Sequence, residues 1–166
     1  MTRTTIASML LSVSAILALA GCGGGGLTAG GSATVTDSAH TTTGFRFPAG
    51  IHLNGGAGTN TGTCQVSRGA TGVYGVVIDL YGDSQGTGHT VRSMTIMAHS
   101  DAPAAGQITA DLGGDEFTST ACNVTVTDLD EARGNVTITA NACPLMFGTQ
   151  TATADVALTF ADCDVR

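Results

Sequence analysis

Apolar and polar residues alternate along much of the chain after residue 72, and glycine-rich segments separate the alternating stretches. A period of two residues predicts β-strands that bury one face. The strands predicted in this way cover residues 72–82, 89–99, 106–114, 122–128, 134–143 and 154–163. Weaker alternation adds candidate strands over residues 44–48, 63–67 and 116–120. After residue 22, no stretch has an apolar stripe at the helical period.

The first two predicted strands are joined by the turn-like segment GDSQGTG, which indicates a hairpin. In the second of them, alternation places Met94 on one face and Val91 and Met97 on the other. Short strands with turns between them indicate an all-β fold, an antiparallel β-sandwich or a partly open barrel of about seven to nine strands. A single domain over residues 44–166 would contain all of them.

The N-terminal segment has one basic residue, Arg3, followed by an apolar run over residues 6–20. The run is short for a bilayer span, and its layout is that of a secretory signal peptide. It leads into LAGC, residues 19–22, which resembles the lipobox of bacterial lipoproteins. The resemblance implies that residues 1–21 are removed and that Cys22 is lipidated, which anchors the chain in a membrane. The alternative is an ordinary secretory signal followed by an unrelated cysteine.

The residues that follow Cys22 bear on where such an anchor would lie. Gly23 stands where an aspartate would resemble the inner-membrane retention signal of enteric bacteria, so the outer membrane is expected in a Gram-negative source. Residues 22–43 are rich in glycine, threonine and serine and nearly free of charge, which predicts a flexible tether. A chain that begins at Ser32 is therefore expected to fold.

The cysteines after the lipobox are Cys64, Cys122, Cys143 and Cys163. An even number in an exported domain predicts two disulfide bonds. A hairpin closed by residues 128–133 would bring Cys122 to Cys143 and leave Cys64 for Cys163, and we favour this pairing. Strand parity points elsewhere, because Cys64 and Cys122 share an inward phase that the other two break. A zinc site is the alternative, but the four lack the close CxxC spacing of such sites.

One short segment combines side chains that suit copper in an exported protein: His89, Met97 and His99 share one strand parity. Met94 has the opposite parity. The competing interpretation is that the methionines fill the core and the histidines flank turns, because thioether packing is far commoner than thioether ligation. We expect no resident metal and no cofactor.

Two further polar motifs have simple structural interpretations. The acidic run DLDE over residues 128–131, with Asp162 and Asp164, could hold calcium at a loop end, but solvated turns also explain it. The triplet NVT at Asn123 and Asn135 matches a glycosylation acceptor, and strand alternation accounts for it. An aromatic platform for carbohydrate is not expected, since the chain has no tryptophan and two tyrosines.

Composition excludes some classes of function. The net charge is −7, which argues against a nucleic-acid surface. The sequence has none of the familiar nucleophile-elbow, zinc-protease, phosphate-loop or dinucleotide motifs, so we do not expect an enzyme. The prediction is a monomeric, membrane-anchored envelope lipoprotein with a non-catalytic β module for binding or structural support. A ligand or copper carrier is the alternative, and an enzyme of unrecognised type comes third. The sequence does not identify the protein or small-molecule partner.

Overall fold

The structure, a computed structural model, describes residues 26–53, 61–69, 72–82 and 91–166. These residues are mostly β-strand, with one short 3₁₀ turn at Pro103–Ala105. Every strand predicted from alternation overlaps an observed strand. The strands are β1 Thr28–Asp37, β2 Thr42–His52, β3 Thr61–Arg68, β4 Tyr74–Tyr81, β5 Val91–His99, β6 Gly106–Leu112, β7 Asp115–Cys122, β8 Thr125–Asp130, β9 Asn135–Phe147, β10 Gln150–Ala161 and β11 Asp164–Val165.

The strands form one open, strongly curled sheet, a half-barrel, in the order β11-β3-β4-β5-β6-β7-β9-β10-β1-β2. β8 pairs with the first half of β9. Among the described strands, every pair is antiparallel except β11 with β3. Inward-facing side chains from the long strands share one hydrophobic core. The all-β prediction is confirmed, and of the two predicted forms the partly open barrel describes this single sheet. The described residues form 11 strands, where about seven to nine are predicted.

The antiparallel pairing gives the half-barrel two distinct ends. We call the end at which β1 finishes and β2 begins the upper end. The turns at residues 38–41, 113–114 and 148–149 lie there. At the opposite, lower end, β1 begins and both β2 and β10 finish.

β1 occupies residues for which the sequence predicts a tether. The predicted tether over residues 22–43, with a domain beginning at residue 44, is therefore wrong from residue 28 onward. β1 lies between β10 and β2, and Ala29, Ala33 and Val35 are buried in the core. Small side chains give a weak hydrophobic signal, whereas pairing on both sides of the strand decides the burial. Residues 22–25 lie outside the described residues.

The same finding argues against the expectation that a chain beginning at Ser32 folds. Residues 28–31 pair with β10, from Thr28 opposite Ala161 to Gly31 opposite Leu158. Removal of this segment would expose a stretch of β10 to water and unpair its backbone groups, which carries a cost in a buried sheet.

A bulge in β9 explains why Cys143 breaks the parity of its strand. Ala154 pairs with Cys143 and Val156 with Ala140, so two residues of β9 lie opposite Asp155. Ala142 adopts a φ of 48°, and its N–H donates to the Asp155 carboxylate at 2.8 Å. Because the bulge resets the alternation, Ala140 and Cys143 both face the core.

A second irregularity corrects the face assigned to Val91. The register between β5 and β6 shifts between Val91 and Ser93. Val91 and Met94 are consequently both buried, so the prediction that they face opposite sides is wrong. Met97 does lie on the opposite, outward face and is 37 % exposed.

The two predicted disulfide bonds are confirmed, with the favoured pairing. Cys64 bonds to Cys163 with Cα atoms 4.9 Å apart, and Cys122 bonds to Cys143 with Cα atoms 5.2 Å apart. Cys122 also corrects the predicted strand over residues 122–128, because it ends β7 and a new strand, β8, follows. The disulfide thus ties β7 to β9 near the point where β8 replaces β7 as the neighbour of β9.

The C-terminal segment connects two distant parts of the sheet. After β10 the chain passes through Cys163, and β11 then pairs in parallel with β3. The N–H of Arg166 donates to the Val66 carbonyl at 2.9 Å, and the N–H of Arg68 donates to the Arg166 carbonyl at 3.0 Å. This segment holds the curled sheet together across its open side.

Candidate functional site

The upper end carries two adjoining cavities, which we together call the upper groove. The larger, about 350 Å³, lies between the β1–β2 turn and strands β9 and β10. The smaller, about 130 Å³, lies between the same turn and the β6–β7 hairpin. Asp37, Ser38 and Thr151 line both cavities. The β1–β2 turn is therefore the wall that the two cavities share.

That turn is held by a dense set of hydrogen bonds. The Asp37 carboxylate accepts from the N–H groups of Ala39 at 2.9 Å and Thr41 at 2.8 Å. The N–H of His40 donates to the Asp37 carbonyl at 3.0 Å. These bonds keep His40 at a φ of 61°, a left-handed conformation that is unfavourable for residues with a side chain. The wall of the groove is thus preformed.

Apolar side chains are exposed beside the turn. Met146, which lines the larger cavity, is 58 % exposed, and Phe147 is 40 % exposed. The Phe147 ring lies 5.7 Å from the ring of Phe117, a buried core residue that lines the smaller cavity. These exposed side chains adjoin the two cavities and so offer apolar contact to a ligand.

Acidic side chains surround this apolar surface. Asp37 and Asp115 line the groove, and Glu116 and Asp111 lie on the adjacent β6–β7 hairpin. Among the described residues, Arg92 is the arginine at the upper end, near Gly114. The upper groove therefore combines exposed thioether and aromatic groups with a net negative rim. It can bind a ligand by apolar contact, hydrogen bonding and charge.

Two further cavities lined by described residues lack this combination. These open cavities, of about 370 and 390 Å³, lie near the lower end. The first is lined by Asp128, Asn135, Thr137 and Thr159, and its large apolar residue Phe160 is buried. The second is lined by Leu53, which is buried, and Leu27, which is half-buried. These two cavities therefore offer less exposed apolar contact to a ligand than the upper groove does.

The copper candidates are partly within the described structure. Met97 and His99 are exposed on the same outward face of β5, and Met94 is buried on the other face, as predicted. His89 lies outside the described residues. Over the ranges that the structure describes, no three histidine, cysteine, aspartate or glutamate side chains form a metal-binding group. The copper site stays an untested alternative to the expectation of no resident metal.

Several acidic residues of the predicted calcium candidate have protein partners. Glu131 accepts from the Tyr74 hydroxyl and lies 3.6 Å from the Arg68 guanidinium. Asp164 lies 2.7 Å from the Arg166 guanidinium. The Glu131 contacts link the β8–β9 turn to β3 and β4, whereas the Asp164–Arg166 pair lies within the C-terminal segment; both are structural roles. These contacts are exposed and contribute little individually to stability.

The remaining predicted sites lie partly within the described residues and partly outside them. Cys22 lies outside the described residues, so its lipidation stays a prediction. Asn123 is exposed beside β8, and Asn135 lines the lower cavity of about 370 Å³. Tyr74 is half-buried against the core, whereas Tyr81 is 47 % exposed at the upper end of β4.

Sequence reasoning missed the upper groove. Its turn falls within the predicted tether, and Met146 lies beyond the predicted end of the strand at residue 143. One available signal was the aspartate at residue 37 in the segment TDSAHT, because an aspartate that begins such a segment often accepts from N–H groups two or more residues ahead. The proximity of this turn to Met146 could not be inferred, since more than a hundred residues separate them.

No helix in the described part of the chain is long and apolar enough to cross a membrane. Comparison of the chain with protein-family models, curated proteins and solved structures finds no match.

Proposed function

We propose that this protein is a membrane-anchored lipoprotein of the bacterial cell envelope, with a β domain that acts as a non-catalytic binding module. The observation that carries the anchor is LAGC at residues 19–22, directly after an apolar run. The two disulfide bonds support a place outside the cytoplasm, because disulfides form and persist in oxidising compartments. In a Gram-negative source, the outer membrane is the proposed location.

The short distance between anchor and domain supports a binding role for the upper groove. The N–H of Leu53 donates to the Leu27 carbonyl at 2.8 Å, so the ordered sheet begins close to Cys22 in sequence. Five residues of chain span at most about 18 Å. β1 then runs its 10 residues to the upper end, a rise of about 33 Å. A lipid on Cys22 would hold the lower end near the bilayer and leave the upper groove facing away from it.

The anchor is tested by metabolic labelling with a fatty acid in cells that produce the full chain. We expect label on the unaltered protein and none on the Cys22→Ala variant, because the thiol is the proposed attachment point. A Ser32→Ala variant serves as the control and should be labelled normally. Equal labelling of the Cys22→Ala variant would contradict the proposal.

Binding through the upper groove is tested by photo-crosslinking in the same cells. A photoreactive phenylalanine analogue replaces Met146 at the groove or, as a matched control, Met97 on the outward face of β5. We expect a discrete crosslinked species from position 146 and none from position 97. A partner docked in the groove would contact position 146 and not the outward face of β5. Identical patterns from both positions would contradict a binding role for this end.

A further inference from the structure

We infer that the upper groove binds a cationic, apolar segment of a partner protein, in which an apolar side chain is flanked by lysine or arginine. This inference rests on the proposed function, since it names the partner of the same surface. It follows from three properties of the groove: exposed apolar side chains, a negative rim and a preformed wall.

The apolar part of the ligand is indicated by Met146 and Phe147. Their exposed fractions are 58 % and 40 %, although the adjacent Leu145 is fully buried. Thr151 pairs with Met146 and lines both cavities, so the exposed thioether lies directly beside the groove. A thioether is flexible and polarisable, which suits contact with an apolar or aromatic side chain of variable shape.

The cationic part is indicated by the charges around that surface. Asp37 and Asp115 line the groove. Asp111 and Glu116 lie directly opposite each other on β6 and β7 of the neighbouring hairpin. Arg92 is the arginine that the described residues place at this end. Two carboxylates directly opposite in a hairpin repel each other, and a lysine or arginine from a partner would relieve that repulsion. A net negative rim also steers the approach of the opposite charge.

Because the wall of the groove is preformed, a short peptide segment can be sufficient for binding. Asp37 already accepts two backbone N–H groups, and His40 is already in its left-handed conformation. A surface that needs no ordering loses less conformational entropy on binding, so fewer contacts are required for a measurable affinity.

The test uses the absence of tryptophan from this chain. The mature lipidated protein, in phosphatidylcholine nanodiscs, is titrated into a peptide with a central tryptophan between two leucines and paired lysines at both ends. Because the protein has no indole, the emission above that of the empty nanodiscs reports the peptide alone. A matched peptide carries glutamates in place of the lysines, and empty nanodiscs give the blank. We expect saturable binding and a blue shift for the lysine peptide only, with affinity that falls as salt is raised.

Variants locate the binding. Met146→Ser should weaken binding of the lysine peptide by about five-fold or more, since it removes much of the exposed apolar contact. The double variant Asp115→Asn, Glu116→Gln should weaken it and flatten its salt dependence. Met97→Ser and Asp101→Asn, both away from the upper end, are the matched controls and should leave binding unchanged. All five positions are exposed, so the substitutions do not disturb the core.

Tight binding of the glutamate peptide, or equal binding by the Met146→Ser variant, would overturn the inference. Failure of the lysine peptide to bind would overturn it as well. If crosslinks still form at position 146 in cells in that case, the groove binds a partner of other chemistry and the proposed function stands.

Discussion

Cys64 and Cys163 are disulfide-bonded with Cα atoms 4.9 Å apart, although 99 residues separate them in sequence. Cys64 lies on β3, near one edge of the curled sheet, and Cys163 follows β10, near the other edge. The bond therefore holds together the two sides of an open half-barrel. Gly134 approaches the same segment, and its carbonyl accepts from the N–H of Cys163 at 3.0 Å.

Removal of this disulfide should destabilise the domain more than removal of the shorter one. The Cys122–Cys143 bond closes a loop of only 21 residues. Loop-closure entropy predicts a loss of about 4–5 kcal/mol for the Cys64→Ala, Cys163→Ala pair and about 3 kcal/mol for the Cys122→Ala, Cys143→Ala pair. Urea unfolding of both double variants measures the free energies. A larger loss for the shorter loop would show that native strain or residual unfolded structure dominates.

The β1 strand should be indispensable, contrary to its tether-like composition. An exported chain that begins at Gly26 retains β1. We expect it to be soluble, to give the circular dichroism spectrum of a β-rich protein and to unfold cooperatively. A chain that begins at Thr42 lacks β1, which leaves β2 without its neighbour and uncovers one side of β10. We expect that chain to be unfolded or insoluble. Circular dichroism of the purified chains is the measurement, and a native spectrum from the shorter chain would refute the role of β1.

Two buried threonines should respond in opposite ways to replacement by valine. Thr43 is 2 % exposed, and its hydroxyl has no hydrogen-bond partner among the described residues. Thr61 is 4 % exposed, and its hydroxyl donates to the Tyr81 carbonyl at 2.9 Å. Thr43→Val should stabilise the fold by about 1 kcal/mol, and Thr61→Val should destabilise it by about 1–2 kcal/mol. Thermal unfolding compares the two, and a loss in both would mean that the Thr43 hydroxyl is satisfied in solution.

Gly44 and Gly50 both have a positive φ but should differ in tolerance to alanine. A Cβ at Gly44, at a φ of 148°, would press against the Ala33 carbonyl of the paired strand. At Gly50, with a φ of 73°, a Cβ would meet no atom within 4 Å. Gly44→Ala should therefore cost about 2–3 kcal/mol, and Gly50→Ala about 1 kcal/mol from backbone strain alone. Equal losses in urea unfolding would argue against close approach of β1 and β2 at Gly44.

The sequence by itself determined the strand-rich fold and the buried faces of most strands. Val136 and Ile138 alternate with polar residues on β9, and Val156 and Leu158 alternate with small or polar residues on β10. All four are buried. Alternation is a local property that one buried face requires of a strand, so it can be seen without the fold. The pairing of Cys122 with Cys143 could also be inferred, because a nearby turn brings the two together.

Only the tertiary structure decided the features that depend on distant neighbours. The small residues of β1 become core residues because β10 and β2 pair on either side, which composition does not reveal. The bulge at Ala142 shifts the inward–outward alternation of β9 by one residue before Cys143. The alternation cannot be followed across a bulge whose position is unknown. The upper groove brings together Asp37 and Met146, which lie far apart in the sequence. Their proximity arises from the order of strands in the curled sheet, a long-range property that the alternation of neighbouring residues does not encode.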